Sequence, residues 1–147
     1  MIRHATPDDA SRIAEILVFT KRMNYRRIFR NDKVSFGEIQ VYPLAATYIE
    51  NPGKLKNIWV YDDEFVKGMV HIDGDKIAEL YVDSFFADQG IGGELIRFAT
   101  EQKQCRRLWV LEKNTDARRF YEKHGFALTG ARRIEDGTTE YIVEMRK

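Results

Sequence analysis

The chain has 147 residues, 44% hydrophobic and 32% charged, with a net charge of +1. That length fits one domain able to bury a proper core, roughly 70% of its unfolded surface. The near-neutral balance gives no electrostatic footprint for nucleic acid or a membrane surface, and no apolar run approaches the ~18 residues of a membrane span.

The opening "MIRHATPDDA" has no apolar signal-peptide core, so a cytoplasmic location is the default expectation. "MIRHAT" reads as a short strand. Thr6 can cap the next helix, with Pro7 at its first position and Asp9 three residues after the cap. Ala10, Ile13, Ile16 and Leu17 then make one apolar helical face. "KRMNYRRIFRNDKVS" is basic and reads as irregular, and a second helix over 36–50 ends before "NPG". "NIWVY" is a strand, "DDE" a turn and "FVKGMVHI" the next strand, with "DGD" a hairpin signal into "KIAELYV". The glycine-rich "ADQGIGGEL" opens a helix whose Ile91, Leu95, Phe98 and Ala99 share a face. Cys105 is single, which excludes an internal disulfide and a thiol-rich metal site.

"RRLWVL" is a strand, and 116–124 is a helix carrying Ala117, Phe120, Tyr121 and His124 on one side. "FALTGARRI" and "TEYIVEMR" close the chain as an antiparallel pair across "EDG". The order is β-α-α-β-β-β-α-β-α-β-β. A hairpin meander runs into one βαβ unit, which predicts an α/β fold with a mixed sheet covered by helices, a single domain over 1–147.

The glycine stretch admits three readings. A phosphate loop of the Gly-Lys-Ser/Thr type fails, because those residues do not follow. A dinucleotide fingerprint is better placed, between a strand and a helix with Glu112 roughly 20 residues on, but Leu95 stands where its third glycine belongs. The third reading is an anion nest, in which the N–H groups of residues 89 to 93 hold a pyrophosphate at a helix N-terminus. A tight turn that binds nothing is the plain structural alternative.

The loop is followed, after the next strand, by "EKNTDARRFYEKHGF". Together "LYVDSFFADQGIGGELI" and "LWVLEKNTDARRFYEKHGF" resemble the GNAT superfamily of acetyl-CoA-dependent N-acetyltransferases, and "IRHATPDDASRIAEI" is similar to that family's opening segment. The second half of the family pattern is complete in Asn114, Ala117, Phe120, Tyr121, Gly125 and Phe126. In the first half Gly90 and Gly92 match, whereas Ala87 replaces the usual Gln or Arg and Asp88 the common glycine.

The resemblance implies acetyl transfer from acetyl-CoA, as co-substrate, to a primary amine of a small molecule or peptide. It places the pyrophosphate on Gln89, Gly90, Gly92 and Gly93 and the pantetheine arm against the backbone near Leu80 and Val82. It sets Asn114 beside the arm and gives Tyr121 the role of protonating the departing thiolate. Arg118 or Arg119 would meet a phosphate. Glu79 is the first choice for general base and Glu112 the second, since an amine of pKa ~10.4 needs help to shed its proton at neutral pH. For Tyr121 the plain alternative is a core tyrosine, for Asn114 a helix cap, and for the carboxylates and arginines a solvated surface.

His4, His71 and His124 share no ligand spacing, so no metal is expected. The basic, aromatic stretch 19–36, with Lys21, Arg22, Arg26, Arg27, Arg30 and Lys33, fits an acceptor bearing an acidic group, or simply a solvated helix face. Trp59 and Trp109 either line that pocket or fill the core. The expected partners are acetyl-CoA and an amine, not nucleic acid or membrane, with a homodimer left open. A GNAT-like module that binds acyl-CoA or a partner without turnover is the second functional reading.

Overall fold

The computed structural model describes residues 1–30 and 40–147, apart from the side chains of Tyr25 and Phe29. The elements are β1 (Ile2–His4), α1 (Ala10–Phe29), α2 (Val41–Glu50), β2 (Ile58–Asp63), β3 (Phe65–Asp73), β4 (Lys76–Val82), α3 (Ile91–Arg97), β5 (Arg107–Leu111), α4 (Thr115–Lys123), β6 (Ala127–Ile134) and β7 (Tyr141–Arg146). They follow the expected order. The seven strands form one mixed sheet in the order β1-β2-β3-β4-β5-β7-β6. Among the described residues only β4 and β5 pair in parallel, joined by the α3 crossover, and the other neighbours are antiparallel.

Three local expectations change. Residues 21–29 are not irregular but continue α1 to Phe29. Their lysine and arginines favour helix and the stretch holds no glycine or proline, so basic composition hid a continuous helix. It stops at Arg30, which turns left-handed at φ 53° and donates its N–H to the Arg26 carbonyl. The helix placed over 36–50 begins at Val41, because Gln40 is extended at φ −134°; residues 36–39 lie outside those described. Asp62 and Asp63 belong to β2, and the reversal falls on Glu64 at φ 68°. Thr6 and Asp9 do form an N-terminal box, on a 3₁₀ turn Pro7–Asp9: the Thr6 N–H donates to Asp9 Oδ2 at 2.8 Å. Arg3 adds a two-pronged bond to the same carboxylate at 2.8 and 2.9 Å, tying β1 to the helix start.

Two apolar clusters flank the sheet. Val70, Ile77, Leu95, Leu108 and Tyr121 pack on the α3/α4 side, and Ile13, Leu17, Tyr48, Val60 and Met69 on the α1/α2 side. Neighbours Met69 and Val70 fall in opposite clusters, as strand alternation requires. Gly68 lets α3 seat closely on the sheet. A Cβ there would lie 3.1 Å from Leu95 Cδ1 and 3.1 Å from the Tyr81 carbonyl oxygen.

The feature that makes a site is in β4. His71 pairs with Glu79 and Ile72 with Ile77, so Ala78 has no partner and forms a bulge. A bulge bends its strand and raises the local twist. In keeping with that, β4 pairs with β5 only at Lys76 with Arg107 and Ile77 with Leu108, and the strands then part. The extra residue also resets the alternation. Ile77, Leu80 and Val82 pack on the α3/α4 cluster and Tyr81 on the other. Without the bulge, Glu79 would share the core face of Ile77.

Candidate active site

The gap between the C-terminal parts of β4 and β5 is the mouth of a cleft of about 790 Å³. This is within the ~300–1,000 Å³ usual for small-molecule and cofactor sites. Glu79, Leu80, Val82, Gly90, Gly92, Asn114 and Tyr121, all singled out in the sequence, line it together. Gln89, Gly93 and Arg118 are not part of its lining, although Gln89 and Gly93 border residues that are.

At one end lies the glycine loop. Asp88 and Gly90 are both left-handed, at φ 61° and 83°, and α3 starts directly after. Its first bond runs from the Glu94 N–H to the Gly90 carbonyl, so the amides of 91–93 precede the helical ladder. Gly92 is needed for packing, since a Cβ there would lie 3.3 Å from the Phe120 ring. The Asp88 carboxylate is exposed and makes no hydrogen bond among the described residues, so it does not cap α3.

Tyr121 projects from α4 to the cleft floor. It is 9% exposed, against Phe120 and Phe126 with ring centroids 5.3 and 5.9 Å away. Burial pushes its phenol up to about 12. Its hydroxyl has no hydrogen-bond partner among the described residues. A buried hydroxyl is normally paired; this one is protonated at neutral pH, and Tyr121 lines the cleft. Asn114 lines the cleft and also caps α4, the helix-cap alternative, by accepting the Ala117 N–H on Oδ1 at 3.3 Å.

Across the sheet, Glu79 belongs to a cluster. Oε1 meets His71 Nδ1 at 3.3 Å and Oε2 meets Lys21 Nζ at 3.4 Å. Burial pushes the carboxyl up, but the His71 hydrogen bond and the Lys21 charge outweigh it and hold Glu79 below its ordinary value. Tyr48 of α2 is buried nearby and is pushed up to about 12 by burial and then by the Glu79 charge. Sequence reasoning missed His71 as a partner, because pairing counted symmetrically from the "DGD" turn sets His71 against Ala78.

Glu112 is not brought to the cleft. It is partly exposed and bound by Arg132 at 2.8 and 3.0 Å, whose hydrogen bonds hold it below its ordinary value. Arg118 spends Nη1 on the Glu112 carbonyl at 2.9 Å. Trp59 is a core residue, 9% exposed with Lys103 above its ring, while Trp109 lines the cleft with the Arg133 guanidinium 4.8 Å above it. Of the basic stretch, Lys21 enters the cleft and Arg22 and Arg26 line a separate groove along α1 with Phe19 and Met23. Lys33 and Phe36 lie outside the described residues. Among the described residues there is no cluster of metal-binding side chains, and no helix is long and apolar enough to cross a membrane.

The sheet is thus mixed and split beside its parallel pair, with a glycine loop and a buried tyrosine lining the split. The acetyltransferase (GNAT) domain model matches residues 54–128, and the chain belongs to that family. The peptidyl-lysine N-acetyltransferase YjaB of Salmonella typhimurium is 32% identical over 81 residues, which is 54% of this chain and 56% of that protein. The match thus spans little more than half the length of the curated relative. The apo-form of YjaB from Escherichia coli superposes with a TM-score of 0.72 at 20% identity, covering 99% of this chain and 95% of that one. The acetyltransferase yncA of Salmonella typhimurium, solved with its cofactor acetyl-CoA, gives 0.66 at 17% identity, covering 100% and 92%. At such identity these two establish the fold.

Proposed function

We propose that this chain is an acetyl-CoA-dependent N-acetyltransferase acting on a primary amine, and that residues 1–147 form one such domain. The single observation that carries the reading is Tyr121, buried, protonated and with no hydroxyl partner among the described residues, lining the split between β4 and β5. The relative's name, a peptidyl-lysine N-acetyltransferase, favours a lysine side chain among the acceptors.

In this reading the amides of Gln89, Gly90, Gly92 and Gly93 hold the pyrophosphate, and the open β4 edge at Leu80 and Val82 offers backbone partners to the pantetheine arm. Extended backbone that has lost its neighbouring strand needs such partners. Asn114 fixes the start of α4 and so the place of Tyr121. Glu79 anchors the incoming ammonium and receives its proton, directly or through water. Tyr121 gives its proton to the leaving thiolate, and the reading assigns no role to a metal.

The second reading, a module that binds acyl-CoA without turnover, is favoured by Asp88, a carboxylate in the glycine loop with no partner among the described residues. Thiol release from acetyl-CoA, measured with a panel of small amines and lysine-containing peptides, separates the two. Turnover with any amine supports the enzyme. Thermal stabilisation by acetyl-CoA with no release above the no-acceptor rate across the panel supports the binding module.

A further inference from the structure

The proposed base already holds a primary amine. Lys21 Nζ lies 3.4 Å from Glu79 Oε2, within the cleft that also exposes Tyr121 and the open edge of β4. Lys123 also lines the cleft, but among the described residues only Lys21 is paired to a carboxylate there. The Lys21 side chain is 30% exposed, so it is partly sheltered by the site, whereas Lys54 and Lys56 are exposed on the surface.

We infer that Lys21 is an acceptor in its own right, and that the chain acetylates it in cis. This rests on the reading of the cleft given above. The Lys21 ammonium gives one proton to Glu79, whose other oxygen is held by His71. The neutral Nζ attacks the thioester carbonyl; the C–N bond forms and the C–S bond breaks. Tyr121 protonates the sulfur and is itself reprotonated by the second proton leaving nitrogen. The balance is one amide, one free thiol and one proton released to solvent. The product carries no charge at Lys21, so Glu79 keeps His71 and loses its ammonium partner. An amine held beside its base gains the large effective concentration of an intramolecular reaction.

The test is to incubate the purified full chain with acetyl-CoA and no other amine, then map acetylated lysines by mass spectrometry over time. Lys21 is expected to acquire one acetyl group at least about tenfold faster than Lys54 or Lys56. Its rate constant should not depend on protein concentration, and it should fall in Tyr121→Phe. Labelling of Lys21 at the rate of the exposed lysines, or in proportion to protein concentration, would overturn the inference. If Lys21 stays unmodified while an added lysine peptide is acetylated, or while acetyl-CoA still stabilises the fold, the inference fails and the cleft remains an acetyl-CoA site. If acetyl-CoA neither stabilises the protein nor reacts with any amine, both fail.

Discussion

Replacing Asp88 by glycine should tighten acetyl-CoA binding. Asp88 combines two liabilities, a left-handed backbone at φ 61° and an exposed carboxylate with no hydrogen bond among the described residues. The backbone term nearly cancels. An L residue in that region costs roughly 1–2 kcal/mol, less for aspartate, while glycine brings about 0.5–1 kcal/mol of extra unfolded-state entropy. Stability should therefore change little. The charge term does not cancel. At ~6 Å from a pyrophosphate charge, a carboxylate costs ~0.7 kcal/mol in bulk water and ~2.8 at an effective dielectric of ~20. For an exposed loop about 1 kcal/mol is reasonable, roughly fivefold in Kd.

Isothermal titration at low and high salt reads this directly, and the gain should shrink as the Debye length falls toward ~3 Å at 1 M. Asp88→Asn separates the two terms, since asparagine tolerates the same φ but carries no charge. It should recover most of the gain. If neither variant binds more tightly at low salt, Asp88 does not face the phosphates and the loop is not where the pyrophosphate rests.

Three further outcomes are expected. Tyr121→Phe should lower kcat ~10²-fold, the low end for general acid catalysis, with Kd for acetyl-CoA and thermal stability unchanged or slightly improved because the lost hydroxyl had no partner; full activity would remove Tyr121 from the chemistry. Gly68→Ala should destabilise by about 1–3 kcal/mol in urea unfolding, because its Cβ meets a backbone oxygen that cannot rotate away; an unchanged midpoint would show that α3 is free to shift. Asp9→Asn should cost about 1.5–3 kcal/mol at neutral pH, since it removes the charge held by Arg3. The Arg3 hydrogen bond lowers Asp9 from its ordinary 3.8, so its stabilisation is full above that value and fades as pH falls through the lower folded one. Wild type and mutant should converge there, and a pH-independent gap would point to packing instead.

The element order was legible because each strand and helix carries its own period, and the "DGD" and "EDG" turns mark their hairpins. The tyrosine motif was legible because its residues lie close in sequence, on one short helix and its two flanks. What could not be read depends on a single unpaired residue. Nothing in "KIAELYV" marks Ala78 as a bulge, yet the bulge decides that His71 stands opposite Glu79 rather than Ala78, and it lies where β4 leaves β5. The extension of α1 was hidden for a related reason. Its second half puts Lys21 into the cleft while Arg22 and Arg26 turn elsewhere, so charge along the stretch does not sort by function until the helix phase is known. Trp59 and Trp109 likewise looked equivalent, and only the sheet order separates a core indole from a cleft indole.

That geometry also constrains what Glu79 can do in the proposed reaction. A carboxyl held below its ordinary 4.5 faces an amine near ~10.4, a gap of at least ~6 units or ~8 kcal/mol for direct proton transfer. Making the amine neutral at pH 7 by any route needs only ~4.6 kcal/mol. Glu79 is therefore better suited to gathering a cationic amine and passing its proton onward than to holding it. His71 sits on its other oxygen with part of its ring exposed, and an imidazole titrates far closer to neutrality than a carboxylate. His71→Ala and Glu79→Gln should then differ in kind. Losing Glu79 removes the anchor, raising KM for the amine and lowering kcat together. Losing His71 leaves the anchor but removes the onward step, lowering kcat with KM for the amine little changed. A His71→Ala enzyme with the kcat of wild type would show that protons leave Glu79 through water alone.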